Sequence, residues 1–355
     1  MSITQTAIIG CGTIATAAHM PGYKAASDIA NVKYFVDIIP ERAEKLRDAY
    51  GSGIALTDYR DMLGDSDVTC VSVCTPNYLH APITIDLLNA GKHVLCEKPA
   101  SVNANYAAAM QRAANENGRI LNIGVVNRYN TAVCRLARLI EEGELGELYH
   151  IYCSFRAHRS IPGLGGPFTN KKLAGGGVLI DWGVHYLDLI LYCAREPKVR
   201  SASAAAYNKL GKDINNYVYT SMWAGPPVLD GLNDVEEFVT GFIRTDGPTI
   251  SLNGAWAQNI GVKDTYIDFL GDKGGARLTY GGDFTLYSTR DGMLTETSFA
   301  FEKEEMYNSE IRDFLLNAQN GVKSKANIDR AIETSKLMDL LYESAEIGRE
   351  IQAGI

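Results

Sequence analysis

The stretch Thr6-Ala-Ile-Ile-Gly-Cys-Gly-Thr-Ile-Ala15 (TAIIGCGTIA) decides how the first third of the chain is read. Its opening residues are apolar and suit a buried strand. Gly10, Gly12 and Ala15 then form G-x-G-x-x-A where strand gives way to helix. The first glycine permits a tight turn. The second lets backbone approach a pyrophosphate, and Ala15 allows close packing of helix on strand, with the helix N-terminus facing the phosphates. The motif alone is weak, but Asp37 lies 22 positions beyond Ala15, at the end of a second strand, VKYFVDI. Its carboxylate can accept hydrogen bonds from ribose hydroxyls and would repel a 2′-phosphate. Ile38 beside it carries no positive charge, and Arg42 reads as a solvated charge on a helix. The expected cofactor is therefore NAD rather than NADP, held by the turn residues Gly10, Gly12, Thr13 and Ile14 and by Asp37.

Outward from this turn, strand and helix alternate through Val126. The helix PERAEKLRDAYG has Pro40 near its start and Gly51 at its end. VTCVSVCTP reads as a buried strand, HAPITIDLLNAG as a helix and HVLCEKP as a strand. Asn103 is an N-cap candidate for a helix that stops at Gly118, and RILNIGVV closes the series. This rhythm predicts a doubly wound parallel sheet. After Asn127 the pattern changes to helix, strand, a Gly/Pro-rich loop and another helix. A mostly strand-like region follows from Arg200 to Tyr287, then two helices from Glu305 to Ile351 with a turn between them. The expected fold class is α/β, with a Rossmann doubly wound parallel sheet in residues 1–126. Residues 127–355 are expected to form an α+β domain with an open, mostly antiparallel sheet.

The chain of 355 residues is long enough for two cores. A net charge of −8 argues against a protein built to wrap nucleic acid or coat an anionic membrane. MSITQTAIIG has no basic region leading an apolar core, and no run of about eighteen apolar residues offers a spanning helix. Seven scattered cysteines, without a paired C-x-x-C, fit reduced thiols and a cytoplasmic location.

LAGGGVLIDWGVHYLDLILYC, residues 173–193, is a helix apolar on every side, yet it carries Asp181, His185 and Asp188. A helix apolar all round is a buried one, so its polar groups must be paired inside the protein or line a cleft. At about 100° per residue, Asp181, His185, Asp188 and Tyr192 share one stripe. Asp181 and His185 have the spacing of helical metal ligands, but no third ligand is evident nearby, so no metal is expected. Asp188 reads equally well as a structural hydrogen-bond partner.

Together, GCGTIA, CTPNYLH, Glu97-Lys98-Pro99 and the Asp181–His185 helix resemble the Gfo/Idh/MocA family of oxidoreductases, over nearly the whole chain. The resemblance implies oxidation or reduction of a secondary hydroxyl on a sugar, glycoside or cyclitol. It also implies a homo-oligomer joined through the C-terminal sheet. Lys98, Asp181 and His185 match the catalytic positions. Thr75, Pro76, Asn77, His80, Glu97, Lys98 and Arg128 match segments that lie by the cofactor, with Pro99 often cis. Thr131 stands where the family often has proline. HRSIPGLGGPFTN together with AGGGVLIDWGVH is most similar to members that oxidise a glycoside, at C3.

The chemistry suits these groups. Hydride leaves the carbinol carbon for nicotinamide C4, and the hydroxyl proton must leave too. Histidine titrates near neutral pH and can take it, while a lysine cation can stabilise a developing alkoxide. Asp181 can hold a sugar hydroxyl, tune His185 or share the proton transfer. Arg156, His158, Trp182 and His185 are the substrate candidates; Arg159 is a weaker one, and Tyr186 and Trp256 read equally as core. Two other readings remain open: a redox-neutral sugar enzyme that keeps its NAD and works through a transient ketone, and a non-catalytic dinucleotide-binding regulator.

Overall fold

A computed structural model describes residues 3–354. The chain divides into two compact units: Met1–Tyr129 with Glu304–Ile332, and Asn130–Lys303 with Glu333–Ile355.

The first unit is built on six parallel strands: β1 (Thr4–Ile9), β2 (Ala30–Val36), β3 (Ile54–Leu56), β4 (Val68–Val73), β5 (His93–Glu97) and β6 (Leu121–Gly124). Their spatial order is β3-β2-β1-β4-β5-β6, which makes the sheet doubly wound, as expected. The helices are α1 (Met20–Ala25), α2 (Pro40–Tyr50), α3 (Asn77–Asn89) and α4 (Ala104–Glu116). Local signals work as read: Gly51 ends α2 at φ 103°, and the Asn103 side chain accepts the Tyr106 N–H at the start of α4. Two readings need correction. The glycine turn opens into a π-helical turn, Ala15–His19, before α1. The third helix begins at Asn77, three residues before His80, and carries Pro82 in its interior.

The division at residue 126 falls close to the observed Tyr129, but residues 304–332 do not belong with the C-terminal part. The helix α8 (Met306–Asn320), numbered after α5–α7 below, buries Ile311, Phe314 and Leu315 in one core of the first unit. Gly22 marks how close it comes: a Cβ there would stand 2.4 Å from Ile311 Cδ1. Ala326, Ile328, Ala331 and Ile332 enter the unit's other core.

The second unit holds a nine-stranded sheet in the order β14-β13-β12-β11-β7-β10-β9-β8-β15. Its strands are β7 (Leu148–Arg156), β8 (Val199–Tyr207), β9 (Phe238–Thr245), β10 (Thr249–Ala255), β11 (Asp264–Gly271), β12 (Gly274–Thr279), β13 (Phe284–Arg290), β14 (Met293–Ser298) and β15 (Ile351–Gln352). Every neighbouring pair is antiparallel except β7 with β10. The helices are α5 (Thr131–Glu141), α6 (Lys171–Ala174) and α7 (Val184–Cys193); α9 (Ile328–Ile347) begins in the first unit and enters the second at Glu333. Asn130 caps α5 by accepting the Val133 N–H at 3.2 Å, so proline is not needed at Thr131. The strand-like reading from Arg200 onward fails over residues 208–237, where Gly225, Pro226 and Pro227 break the chain and one short 3-10 turn, Ile214–Asn216, is the only regular helix.

Candidate active site

In the first unit the strand order reverses between β1 and β4, where a parallel sheet opens a crevice at its carboxyl ends. Gly10 follows β1 at φ 89°, and a Cβ there would lie 2.6 Å from the Cys74 carbonyl oxygen after β4. Only glycine fits. A Cβ on Gly12 would meet nothing within 4 Å, which leaves that backbone open to an approaching group. Thr13 is exposed and Ile14 half-buried beside it. Cys11 between the glycines is inert: burial, with Asp37 nearby, pushes its thiol up to about 12.

Asp37 directly follows β2, its carboxylate fixed by two backbone amides, Cys11 N at 2.8 Å on Oδ2 and Ile39 N at 2.9 Å on Oδ1. Ile38 beside it is exposed and uncharged. Thr75 sits after β4, and its buried Oγ1 has no hydrogen-bond partner in the structure. Orphaned hydroxyl, open glycine backbone and fixed carboxylate fit an NAD molecule laid along the crevice. Pro76 and Asn77 open α3 next to Thr75.

Lys98 is half-buried at the end of β5, followed by a cis Lys98–Pro99 peptide. Three residues expected beside the cofactor have side chains committed to partners inside the unit. His80 faces the Pro99 carbonyl with Nδ1 at 2.7 Å and the Thr75 carbonyl with Nε2 at 2.8 Å. Glu97 pairs with His19 at 2.9 Å. Arg128, 1% exposed, donates from Nη1 to the Lys325 carbonyl at 2.6 Å.

The second unit explains the glycine run before Asp181. Gly175 caps α6 at φ 90°. A Cβ on Gly176 would stand 2.1 Å from the Tyr342 hydroxyl oxygen, and one on Gly177 would stand 1.9 Å from the Glu236 carbonyl oxygen. The segment is clamped there. The Glu236 carbonyl accepts the Val178 N–H at 3.0 Å, and its carboxylate accepts those of Gly177 and Leu179, also at 3.0 Å. Tyr342 donates its hydroxyl to the same carboxylate at 2.8 Å. Burial pushes the Glu236 carboxyl up, against these donors. Neighbouring Glu237 likewise accepts Leu210 N at 2.9 Å and Gly211 N at 3.3 Å, anchoring the loop after β8. The sequence reading missed both acids; its one available signal was an acidic pair at the threshold of a strand.

The buried helix starts with a π turn, Leu179–Gly183, and continues as α7. The uniform 100° spacing assumed above therefore fails in its first turn, which carries Asp181 and Trp182. Such turns recur at functional sites. Asp181 is 8% exposed and His185 half-buried, with its ring edge-on to Tyr280 at 6.1 Å between centroids. Tyr186 stacks on Phe155 of β7 at 4.7 Å and on Tyr280 at 4.5 Å, so it is core, as is the fully buried Trp256. Asp188 is a structural partner, its Oδ1 accepting the Thr334 hydroxyl at 3.4 Å. Trp182 packs half-buried against the core.

Arg156 is a correction. Phe155 faces α7, so by strand alternation Ser154 and Arg156 face the opposite side of the sheet. There Arg156 donates to Ser154 Oγ at 3.1 Å and pairs with Asp264. His158 is half-buried just beyond the strand. Arg159 lies over the Tyr217 ring at 5.7 Å and donates to Asn259 at 2.6 Å.

The oxidoreductase family with an NAD-binding Rossmann fold, GFO_IDH_MocA, matches residues 4–125, and the GFO/IDH/MocA C-terminal domain matches 133–277. The chain belongs to the Gfo/Idh/MocA family. As a family member it is an oxidoreductase, and its cofactor is NAD. It is 30% identical over 351 residues to D-glucoside 3-dehydrogenase of Escherichia coli (strain K12), covering 98% of this chain and 97% of that protein. It is 28% identical over 360 residues to a putative UDP-kanosamine synthase oxidoreductase subunit of Amycolatopsis mediterranei (strain S699), covering 97% of each. Among solved structures, levoglucosan dehydrogenase in complex with NADH and L-sorbose superposes with a TM-score of 0.87 over all of both chains, at 20% identity, a likeness of fold. No helix among the described residues is long and apolar enough to cross a membrane.

Proposed function

We propose that this Gfo/Idh/MocA protein oxidises a secondary hydroxyl of a sugar or glycoside, C3 of a glucoside first among the candidates, with NAD released at each turnover. The observation that carries this reading is the end-to-end likeness to a D-glucoside 3-dehydrogenase. The site chemistry supports it. When bound, NAD supplies the hydride acceptor. A ring nitrogen of His185 takes the hydroxyl proton. The Lys98 ammonium donates to the substrate oxygen and stabilises negative charge there. Asp181, inflexibly mounted on the clamped π turn, orients a neighbouring hydroxyl or the His185 ring. Trp182 and His158 contact the sugar. Gly10, Gly12, Thr13, Ile14, Asp37, Thr75, Pro76 and Asn77 contact the cofactor, while His80 braces the Thr75 end of those contacts through the Thr75 carbonyl.

A cytoplasmic location and a homo-oligomer joined through the C-terminal sheet belong to the same proposal. All seven cysteines are free thiols. Tyr152 and Tyr287 are exposed aromatics on that sheet.

The test is absorbance at 340 nm of the purified protein with NAD and a panel of glucosides and cyclitols. NADH accumulating over many turnovers on one compound is the expected result. A single stoichiometric step, with altered sugar products and no net NADH, would move the assignment to the redox-neutral class. Sedimentation at micromolar concentration reads the oligomer, and a monomer would remove that part.

A further inference from the structure

His19 is fully buried beside the glycine turn. Its Nε2 lies 2.9 Å from Glu97 Oε1 and its Nδ1 lies 3.0 Å from Ser72 Oγ. Ser72 is in turn 2.8 Å from the Tyr23 hydroxyl. The other oxygen of Glu97 accepts the backbone N–H of Lys98 at 3.1 Å. A continuous polar chain thus runs from Tyr23 through Ser72, His19 and Glu97 to the Lys98 peptide. Burial alone would raise the Glu97 carboxyl, but the His19 hydrogen bond, with the Lys98 ammonium and backbone N–H beside it, outweighs it and holds it below its ordinary value.

We propose that His19 is a positioning residue for Lys98, acting through the Glu97 carboxylate. A buried imidazole–carboxylate pair carries a large desolvation cost, which an apolar pair of equal volume avoids. This pair sits at the residue immediately before Lys98. Lysine is a point charge on four flexible carbons, and its head is placed only as well as its backbone is held. Past Lys98 the chain is held again, because the Pro99 carbonyl faces His80 Nδ1. A cation that must meet one oxygen of a substrate gains from such fixing, since a displacement of about 1 Å can cost roughly 100-fold in rate.

The inference rests on Lys98 acting in turnover, and a thermodynamic cycle separates the two claims. His19→Gln, Glu97→Gln and the milder Ser72→Ala are made in the wild type and in Lys98→Met, each measured for kcat, KM for sugar, KM for NAD and Tm. In the wild type, His19→Gln and Glu97→Gln should lower kcat at least about tenfold while both KM values stay within about threefold. In the Lys98→Met background the same changes should add no further loss, since their route to the chemistry is already gone. Equal losses in both backgrounds, or an unchanged kcat in any folded variant of His19 or Glu97, would overturn the proposal. If those two variants fail to fold, Ser72→Ala decides by the same comparison. Near-normal turnover in Lys98→Met would instead remove the lysine's own role, whatever His19 does.

Discussion

Glu236 accepts the backbone N–H of Leu179 at 3.0 Å, so a side chain from the threshold of β9 sets the first turn of the helix that bears Asp181. Glu236→Leu would leave the amides of Gly177 and Leu179 and the Tyr342 hydroxyl without this acceptor. Each orphaned group costs about 1–3 kcal/mol, and urea denaturation should show a loss of roughly 4 kcal/mol. Glu236→Gln keeps one oxygen and should fall between this variant and the wild type.

Two glycine substitutions should separate folding from binding. Gly177→Ala places a methyl 1.9 Å from a carbonyl oxygen of Glu236, and it should sharply lower Tm and soluble yield. Gly12→Ala meets nothing within 4 Å and should leave Tm unchanged. Its methyl instead obstructs the approach of a pyrophosphate, so calorimetry should show NAD affinity reduced by about tenfold or more.

Lys98→Met and His185→Ala should each reduce kcat by about 10²–10⁴-fold with the circular dichroism spectrum intact. Arg156→Ala, made alongside, should keep kcat and the sugar KM near wild type, because the guanidinium is spent on Ser154 and Asp264 across the sheet from α7. A large KM increase for Arg156→Ala would return it to the substrate set.

Asp37 and Ile38 should govern cofactor choice. The pair Asp37→Ser and Ile38→Arg exchanges a repelling carboxylate for a cation beside the 2′ position. The ratio of kcat/KM for NAD over NADP should fall by about tenfold or more. Some stability should be lost as well, because Asp37 also caps the amides of Cys11 and Ile39.

His93 should set part of the acid sensitivity. Burial, aided by Arg119, pulls its pKa down to about 4, while Nδ1 accepts the Ile120 N–H at 2.9 Å. The unfolded chain takes up the proton near the ordinary value of about 6.5. The folded pKa is the lower one, so this contribution is complete above about pH 6.5 and is lost as pH falls toward 4. In urea midpoints measured between about pH 7 and pH 4.5, His93→Gln should decline less steeply than the wild type.

The sequence made the Rossmann sheet legible because its punctuation is local. Pro40, Gly51 and Asn103 each do their work within a turn of where they stand. The Asp181–His185 helix was legible from composition, since polar groups on an apolar helix need a reason. Its π turn was not, because a hydrogen-bond register leaves no mark on composition. Residues 304–332 were misassigned for a different cause: Ile311, Phe314 and Leu315 form the same stripe whichever core receives it. Arg156 was readable and misread, since the two-residue period that buries Phe155 already turns its neighbours away. Glu236, Glu237 and His19 bond partners distant in sequence, and beyond the pairing of the two acids nothing adjacent to them announces it.

Because α8 and the start of α9 complete the cores laid down by the first 129 residues, synthesis order and folding order conflict. On the ribosome, the glycine turn and all six parallel strands emerge long before Ile311, Phe314 and Ile328 exist. The nascent sheet must wait, apolar surface uncovered, while Asn130–Lys303 of the second unit is translated. That interval is where chaperone dependence concentrates. A message truncated between residues 130 and 303 yields a dinucleotide fold that cannot close, and such a fragment should be recovered in inclusion bodies rather than as a small cofactor-binding protein.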